Sequence, residues 1–423
     1  MYKAEIVFKT PKDKNYFFGY YDKLQLNADN NKLLALEVDF IKRMPNADDI
    51  AGIGYFDLSD SAKRFIKLTE TKAFNWQQGC MLQWVGPDCN NKVIYNDFID
   101  KKFVAILFDV ETGAKTILEK AIYTMHPAGN MALCIDFERH YWCRRGYSYE
   151  GIYNKGKNKK VVGDDGIWLL DIEQNSVRKI IALEKLIKIR PLSNMKNATH
   201  YLEHLMFNQS GLRFCFLHRW KMEDGGVYTR LYTANYDGTD IYLLNDSGRV
   251  SHFGWRNDRE LLAYGALENK INALRRHKWI VKRFIRPLLP LYHRIIKDNS
   301  RISKTITGDS YLVFMDKTEI KQRVASSISS EDGHPSFSRT KEDIFITDTY
   351  PDPREGSLAK LILYDLKDGK EYILNELSSL ADYDDTPLRC DLHPRWSLDG
   401  RYISVDTMND GTRGVYLYEL NRV

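Results

Sequence analysis

The chain contains no run of 18 apolar residues, and none of its six cysteines (Cys80, Cys89, Cys134, Cys143, Cys215, Cys390) stands in a CxxC pair. The first absence excludes a spanning helix of ordinary length. The second excludes the common zinc and dithiol frameworks. Cysteines inside apolar patterns such as MALCIDF and RFCFLH read instead as reduced, buried thiols of a cytoplasmic protein. The start, MYKAEIVFKTPKDK, lacks the apolar core of a signal peptide. No GxGxxG, P-loop, GxSxG or HExxH occurs, which argues against a standard nucleotide, serine-hydrolase or zincin site. A strong charge of one sign is also missing: the formal net charge is +5, too mild to indicate nucleic acid.

What the chain does have is a repeat. HLMFNQSGLRFCFLH begins at His204, HFGWRNDRELLAYG at His252, HPSFSRTKEDIFITD at His334 and HPRWSLDG at His393. In each, a histidine precedes an aromatic residue by three positions, a polar turn follows, and a strand pattern comes next. Starts at Lys23, Met81 and Ile122 keep the turn and strand without the histidine. Between the starts lie hairpin patterns at 55–68, 106–118, 167–181, 231–244, 312–324, 362–374 and 416–423, with period-2 alternation around turns such as Asp-Gly. Four strands per unit in seven units predict an all-β, seven-bladed β-propeller spanning 1–423 as one domain. The last hairpin lacks its outer strand, and Tyr2–Phe8 is expected to supply it and close the ring.

In such a ring the first strand of each blade lines the channel. His204, His252, His334 and His393 are therefore expected to form an arc around one channel mouth, where they are candidate metal ligands. The ends of the second strands reach the same rim with His218, Arg219, Asp348 and Tyr350. NYFFGYYDK adds Tyr20, Tyr21 and Asp22. FNWQQGC adds Trp76, Gln77 and Gln78, an aromatic beside amides that suits a sugar ring. DFERHYWCRRGYSYEG, in a blade-three insertion at 138–166, adds Arg139, Arg144, Arg145 and Tyr147, suited to a carboxylate, sulfate or phosphate. LRCDLH sets Arg389 and Asp391 beside His393, and Arg395 follows.

One segment stands apart. Residues 270–304 hold eleven Lys/Arg and one acid, Asp298, within a blade-five insertion at 266–310. Arg275, Trp279, Lys282, Arg283, Phe284 and Arg286 lie in a basic amphipathic pattern, broken by Pro287 and Pro290. It reads as a helical insertion that touches an anionic membrane surface.

The last two units, HPSFSRTKEDIFITDTYPD and DLHPRWSLDGRYISVDT, resemble the oligogalacturonate lyase family over roughly 330–423. That resemblance implies a cytoplasmic seven-bladed propeller that cleaves uronic-acid oligosaccharides by β-elimination with a manganese-type divalent metal. It implies metal-ligand roles for His334 and His393. Where the family motif reads QxxHPHW, this chain has Cys390 at the glutamine position and Arg395 at the second histidine. The chain also resembles propellers of bacterial surface-polysaccharide loci, which implies a lipid-linked glycan and a peripheral position at the inner membrane.

The expected function is then a lyase acting on an acidic, uronate-containing glycan, with a divalent metal, Mn or Ca. His252 or His334 is the expected base, Tyr20 or Tyr350 the acid, and Arg389, Arg139 or Arg144 the group that neutralises the carboxylate. Two other readings stand beside it. One is a non-catalytic glycan- or protein-binding propeller docked at the membrane. The other is a glycoside hydrolase using Asp97, Asp136 or Asp348.

Overall fold

The computed structural model describes residues 2–151, 156–223, 225–266, 309–324, 331–352, 356–384 and 386–422. They form seven four-stranded antiparallel sheets arranged as the blades of a propeller. The seven units read from the sequence match the seven blades one for one. Blade seven pairs Arg395–Trp396, Tyr402–Thr407 and Gly414–Arg422, and its outer strand is Tyr2–Lys9 from the other end of the chain. The closing register runs from Tyr2 opposite Arg422 to Lys9 opposite Tyr416. Closure pairs the two termini and leaves no unfinished blade edge there. The segment carrying Arg275, Trp279, Lys282, Arg283, Phe284 and Arg286 lies outside the described residues.

The motif's two ends have different jobs. The aromatic at its fourth position ties neighbouring blades together. Trp84 Nε1 donates to the Gln25 carbonyl, Trp255 Nε1 to the Met206 carbonyl and Trp396 Nε1 to the Ser336 carbonyl, each in the preceding blade. The indole area fills the space between sheets while its one polar atom is satisfied. In the turn that follows, Gly400 has φ +70°, and an added Cβ would lie 2.6 Å from Thr340 Oγ1 of the adjacent blade, so only glycine fits.

The first position of the motif interrupts the inner strand. Met81, His204 and His393 have φ of 58°, 52° and 43°, in the left-handed region. The pairing of Thr199–Phe207 with Arg213–Lys221 slips between Glu203 and Met206, and that of Val250–Trp255 with Glu260–Ala266 slips between Val250 and Phe253. Such a bulge re-aims one side chain out of the sheet's alternation. In blade one the interruption is longest: residues 18–25 leave the strand after Asn15–Phe17 and rejoin at Leu26, which bridges Leu33.

Candidate active site in the propeller channel

The four motif histidines come together. Ring centroids are 5.8 Å apart for His204 and His252, 4.2 Å for His252 and His334, and 4.2 Å for His334 and His393. All four are at most 4% exposed. The excursion of blade one fills the centre of their arc. Tyr20 stacks on His204 at 5.2 Å and meets His393 edge-on at 5.1 Å, and Tyr21 lies 5.3 Å from His334.

Two carboxylates, the buried Asp348 and the partly exposed Asp332, hold these rings in place. His334 Nδ1–H donates to Asp348, at 2.9 and 3.0 Å to the two oxygens, and Asp348 also accepts the backbone N–H groups of His334 and His393. His252 Nδ1–H donates to Asp332 at 3.1 Å. Each Nε2 is then left as the free basic nitrogen. Burial lowers the His252 pKa, and the neighbouring His334 lowers it further. Burial also pulls His334 down, but Asp348 outweighs it and the net shift is upward. His393 is pushed well below the usual range by burial and by His334, and its Nε2 has no partner among the described residues. The arc is thus divided by environment into neutral rings and one that favours the cation.

A second buried carboxylate organises the other end of the arc. Glu203 is fully buried. It accepts from Arg144 Nη1 at 2.7 and 2.8 Å and from His140 Nε2 at 3.1 Å, and it pairs with Arg219 at 2.7 Å. Burial opposes its charge, yet Arg144 and Arg219 hold the carboxyl well below its usual range. Arg144 Nη1 also donates to His204 Nε2 at 3.1 Å. His204 therefore carries its proton on Nδ1 and donates it to Tyr20 Oη at 2.7 Å. Burial keeps His204 neutral and Tyr20 protonated.

Over the histidines stand two arginine–tyrosine stacks. Arg144 lies 3.7 Å above the Tyr147 ring and Arg389 4.4 Å above the Tyr350 ring. Both guanidinium side chains are about one-fifth exposed, at 22% and 23%. Arg389 donates through Nε and Nη2 to Asp391 at 2.5 and 3.0 Å. Burial, then Asp332 and Asp391, push the Tyr350 hydroxyl well above its usual pKa.

Other expected site residues are used elsewhere. Trp76 is buried among Phe17, Phe40 and Phe74, with Nε1 donating to the Arg43 carbonyl, so it offers no face to a sugar. Arg139 donates to the carbonyls of Gly156, Lys160 and His200 and braces the blade-three insertion. Arg395 is spent on Asp406, Gln25 and the Gly19 carbonyl. His218 faces His200 inside blade four at 3.0 Å. Arg145 lies 5.5 Å from the Tyr141 and Trp142 rings at the outer face of the insertion. Arg219 joins the site through Glu203. Gln77 and Gln78 donate to the Arg389 carbonyl and to Tyr123 Oη, and each retains an unpartnered buried Oε1. Asp22 pairs with the buried Lys23 at 2.6 Å. Asp97 caps the turn at Lys72 and Phe98, and Asp136 caps the helix Phe137–Cys143, so neither enters the channel chemistry.

The donor set fits a divalent metal in part. One ligand atom from each of His334, Asp391 and His393 lies within 4.8 Å of the others, and His393 Nε2 is an orphan there. Imidazole nitrogens and a carboxylate oxygen suit manganese or zinc better than calcium. His204 and His252 do not belong to this group; they face Tyr20 and Arg144, and Asp332, respectively.

No protein-family model and no curated protein matches the chain. Among solved structures, an oligogalacturonate lyase from Vibrio parahaemolyticus superposes with a TM-score of 0.61 at 12% identity, over 99% of this chain and 97% of that one. An oligogalacturonate lyase in complex with manganese gives 0.61 at 14% identity, over 100% and 96%. The fold is that of the oligogalacturonate lyases. The β-propeller domain of a Pyrococcus furiosus protease also matches, with a TM-score of 0.48 at 10% identity over 99% and 96%.

Proposed function

We propose that this protein is a lyase that cleaves a uronate-containing oligosaccharide by β-elimination. The observation that carries the reading is the convergence of four histidines beneath two arginine–tyrosine stacks in one buried cluster. The fold shared with oligogalacturonate lyases supports it. The rim side chains must part to admit a sugar.

The chain's own groups divide the work as follows. Arg389 Nη1 and Arg144 Nη2 make no hydrogen bond among the described residues, although their sister nitrogens do, so each arginine keeps a donor for the uronate carboxylate. Neutralising that carboxylate acidifies the adjacent C5–H. His252 Nε2, neutral and oriented by Asp332, takes the C5 proton. The C–H electron pair forms the C4–C5 double bond and the C4–O bond breaks. Tyr350, kept protonated by burial, gives its proton to the leaving oxygen. Tyr20 is less suited to that role because its hydroxyl is engaged with His204. His334, Asp391 and His393 are the residues that would hold a divalent cation, and such a cation would supply Lewis-acid charge stabilisation.

Incubation with a panel of uronate-containing oligosaccharides, with and without chelator, tests the reading through ultraviolet absorbance of the 4,5-unsaturated product. Tight binding without absorbance turns the protein into a glycan-binding propeller; neither binding nor product removes the reading. A cytoplasmic position at the inner membrane, with a lipid-linked glycan as substrate, belongs to the same proposal. It rests on the charge of 270–304. Loss of binding to anionic liposomes on deleting that segment is the expected result.

A further inference from the structure

Beyond the histidine cluster the channel holds a cavity. Residues 20–24 cross the channel's centre, and Tyr21 touches the histidines on one side while lining the cavity, of about 380 Å³, on the other. Trp84, Met125, Phe207, Trp255, Phe337 and Trp396 form part of the cavity wall, and all sit at the fourth position of the repeated motif, where the inner strands end. The cavity therefore opens on the face opposite the histidines. Its volume is that of a small-molecule site.

Three features mark it as more than leftover space. Arg339, in the turn after Ser336–Phe337, lines the cavity, is exposed to solvent, and makes no hydrogen bond or ion pair among the described residues. Asp22, deeper in the channel, has a side chain only 5% exposed; Lys23 holds its Oδ2, and its Oδ1 has no partner among the described residues. A buried carboxylate oxygen without a donor is costly and calls for one. The indole N–H groups of Trp84, Trp255 and Trp396 are consumed by blade-to-blade bonds, so these rings offer the cavity apolar surface alone. A ligand that satisfies all three has an anionic group for the guanidinium, hydroxyl donors for Asp22, and a ring with C–H faces for the aromatics.

We propose that this cavity is a second binding site, for a small polyhydroxylated anion of the sugar-acid or sugar-phosphate class. Its occupant lies directly behind Tyr21, whose other side packs on His334, so the site is placed to report on the histidine cluster. The proposal does not depend on the lyase reading.

The test is calorimetric titration of the full chain with glucuronate, glucose 6-phosphate and uncharged glucose. Saturable binding of glucuronate or of glucose 6-phosphate, with glucose at least about tenfold weaker, is expected, and the stronger anion names the source. Arg339→Gln should weaken that binding about tenfold or more, and Arg145→Gln, at the exposed outer face of the blade-three insertion, should leave it unchanged. The indole N–H resonances of Trp84, Trp255 and Trp396 should shift on titration of the unaltered protein, a readout that needs no variant. Failure of both anions to bind better than glucose overturns the proposal. So does binding that Arg339→Gln leaves undiminished, or a titration that leaves all three indoles unmoved.

Discussion

Blades four to seven and blades one to three share one architecture and contribute differently to the site. The four later blades each carry a histidine at the first position of the motif, three residues before the end of the inner strand. The three earlier blades carry Lys23, Met81 and Ile122 at the equivalent positions. In their place the earlier blades send in longer structures: the Tyr20–Tyr21 excursion that fills the arc, Tyr123 bonded to Gln78, and the insertion that brings Arg144 and Tyr147 over the top. A repeat held constant for packing leaves its bulge position free to vary, and the ring here gathers histidines in one half and the structures that enclose them in the other. Glu203 joins the halves. It sits in blade four and binds Arg144 and His140 from the blade-three insertion.

The sharpest way to break that division is to remove chemistry from the histidine half. His252→Ala should lower turnover about 10²- to 10⁴-fold, the usual worth of a positioned base, with little change in thermal unfolding. Comparable loss from Met81→Ala at the equivalent site of blade two, read in the same ultraviolet assay, would contradict the division. Next comes the joint between halves. Glu203→Gln leaves Arg144 and Arg219 without their buried counter-charge and should cost about 3–5 kcal/mol in urea unfolding. A loss under about 1 kcal/mol would mean that the insertion is held by other contacts.

A smaller effect probes the enclosing half. Asp165 is buried with Oδ2 unpartnered, and burial, then Asp136, push its carboxyl up to about 7. Its unfolded pKa is about 3.9. Between those values the unfolded chain gives up the proton while the folded chain keeps it, so stability contributed by this group is complete below about pH 4 and is lost as pH rises through about 7. Asp165→Asn should flatten that slope and stabilise the protein at pH 8 by roughly 1–4 kcal/mol. An unchanged pH–stability curve would place the carboxylate in contact with water or a cation. The smallest effect tests what the halves share. Trp84→Phe and Trp396→Phe each remove one interblade hydrogen bond and should cost about 1 kcal/mol apiece, equal in both halves.

Much of this was legible in the residues. Strand alternation, hairpin turns and the recurrence of one motif are local, and they predicted seven blades, the closing strand and the arc of His204, His252, His334 and His393. The arginines were not readable in the same way. Arg139, Arg144 and Arg395 look alike in sequence, yet Arg144 alone reaches the histidines. Asp391 was read beside His393, but Glu203 and Asp332 were not foreseen as site members. Glu203 had left a trace, a lone acid within the largely buried THYLEHLMF strand.

By itself, then, the sequence determined the ring and the height at which its histidines stand, because both follow from repeated short-range pattern. Tertiary structure decided which charges cancel, which nitrogens stay free, and that residues 20–24 cross the channel. Those outcomes depend on partners far apart in the chain: Arg144 with Glu203 is 59 residues removed, and His252 with Asp332 is 80. A buried charge takes whichever counter-charge the closed ring brings to it, and no local pattern records that choice.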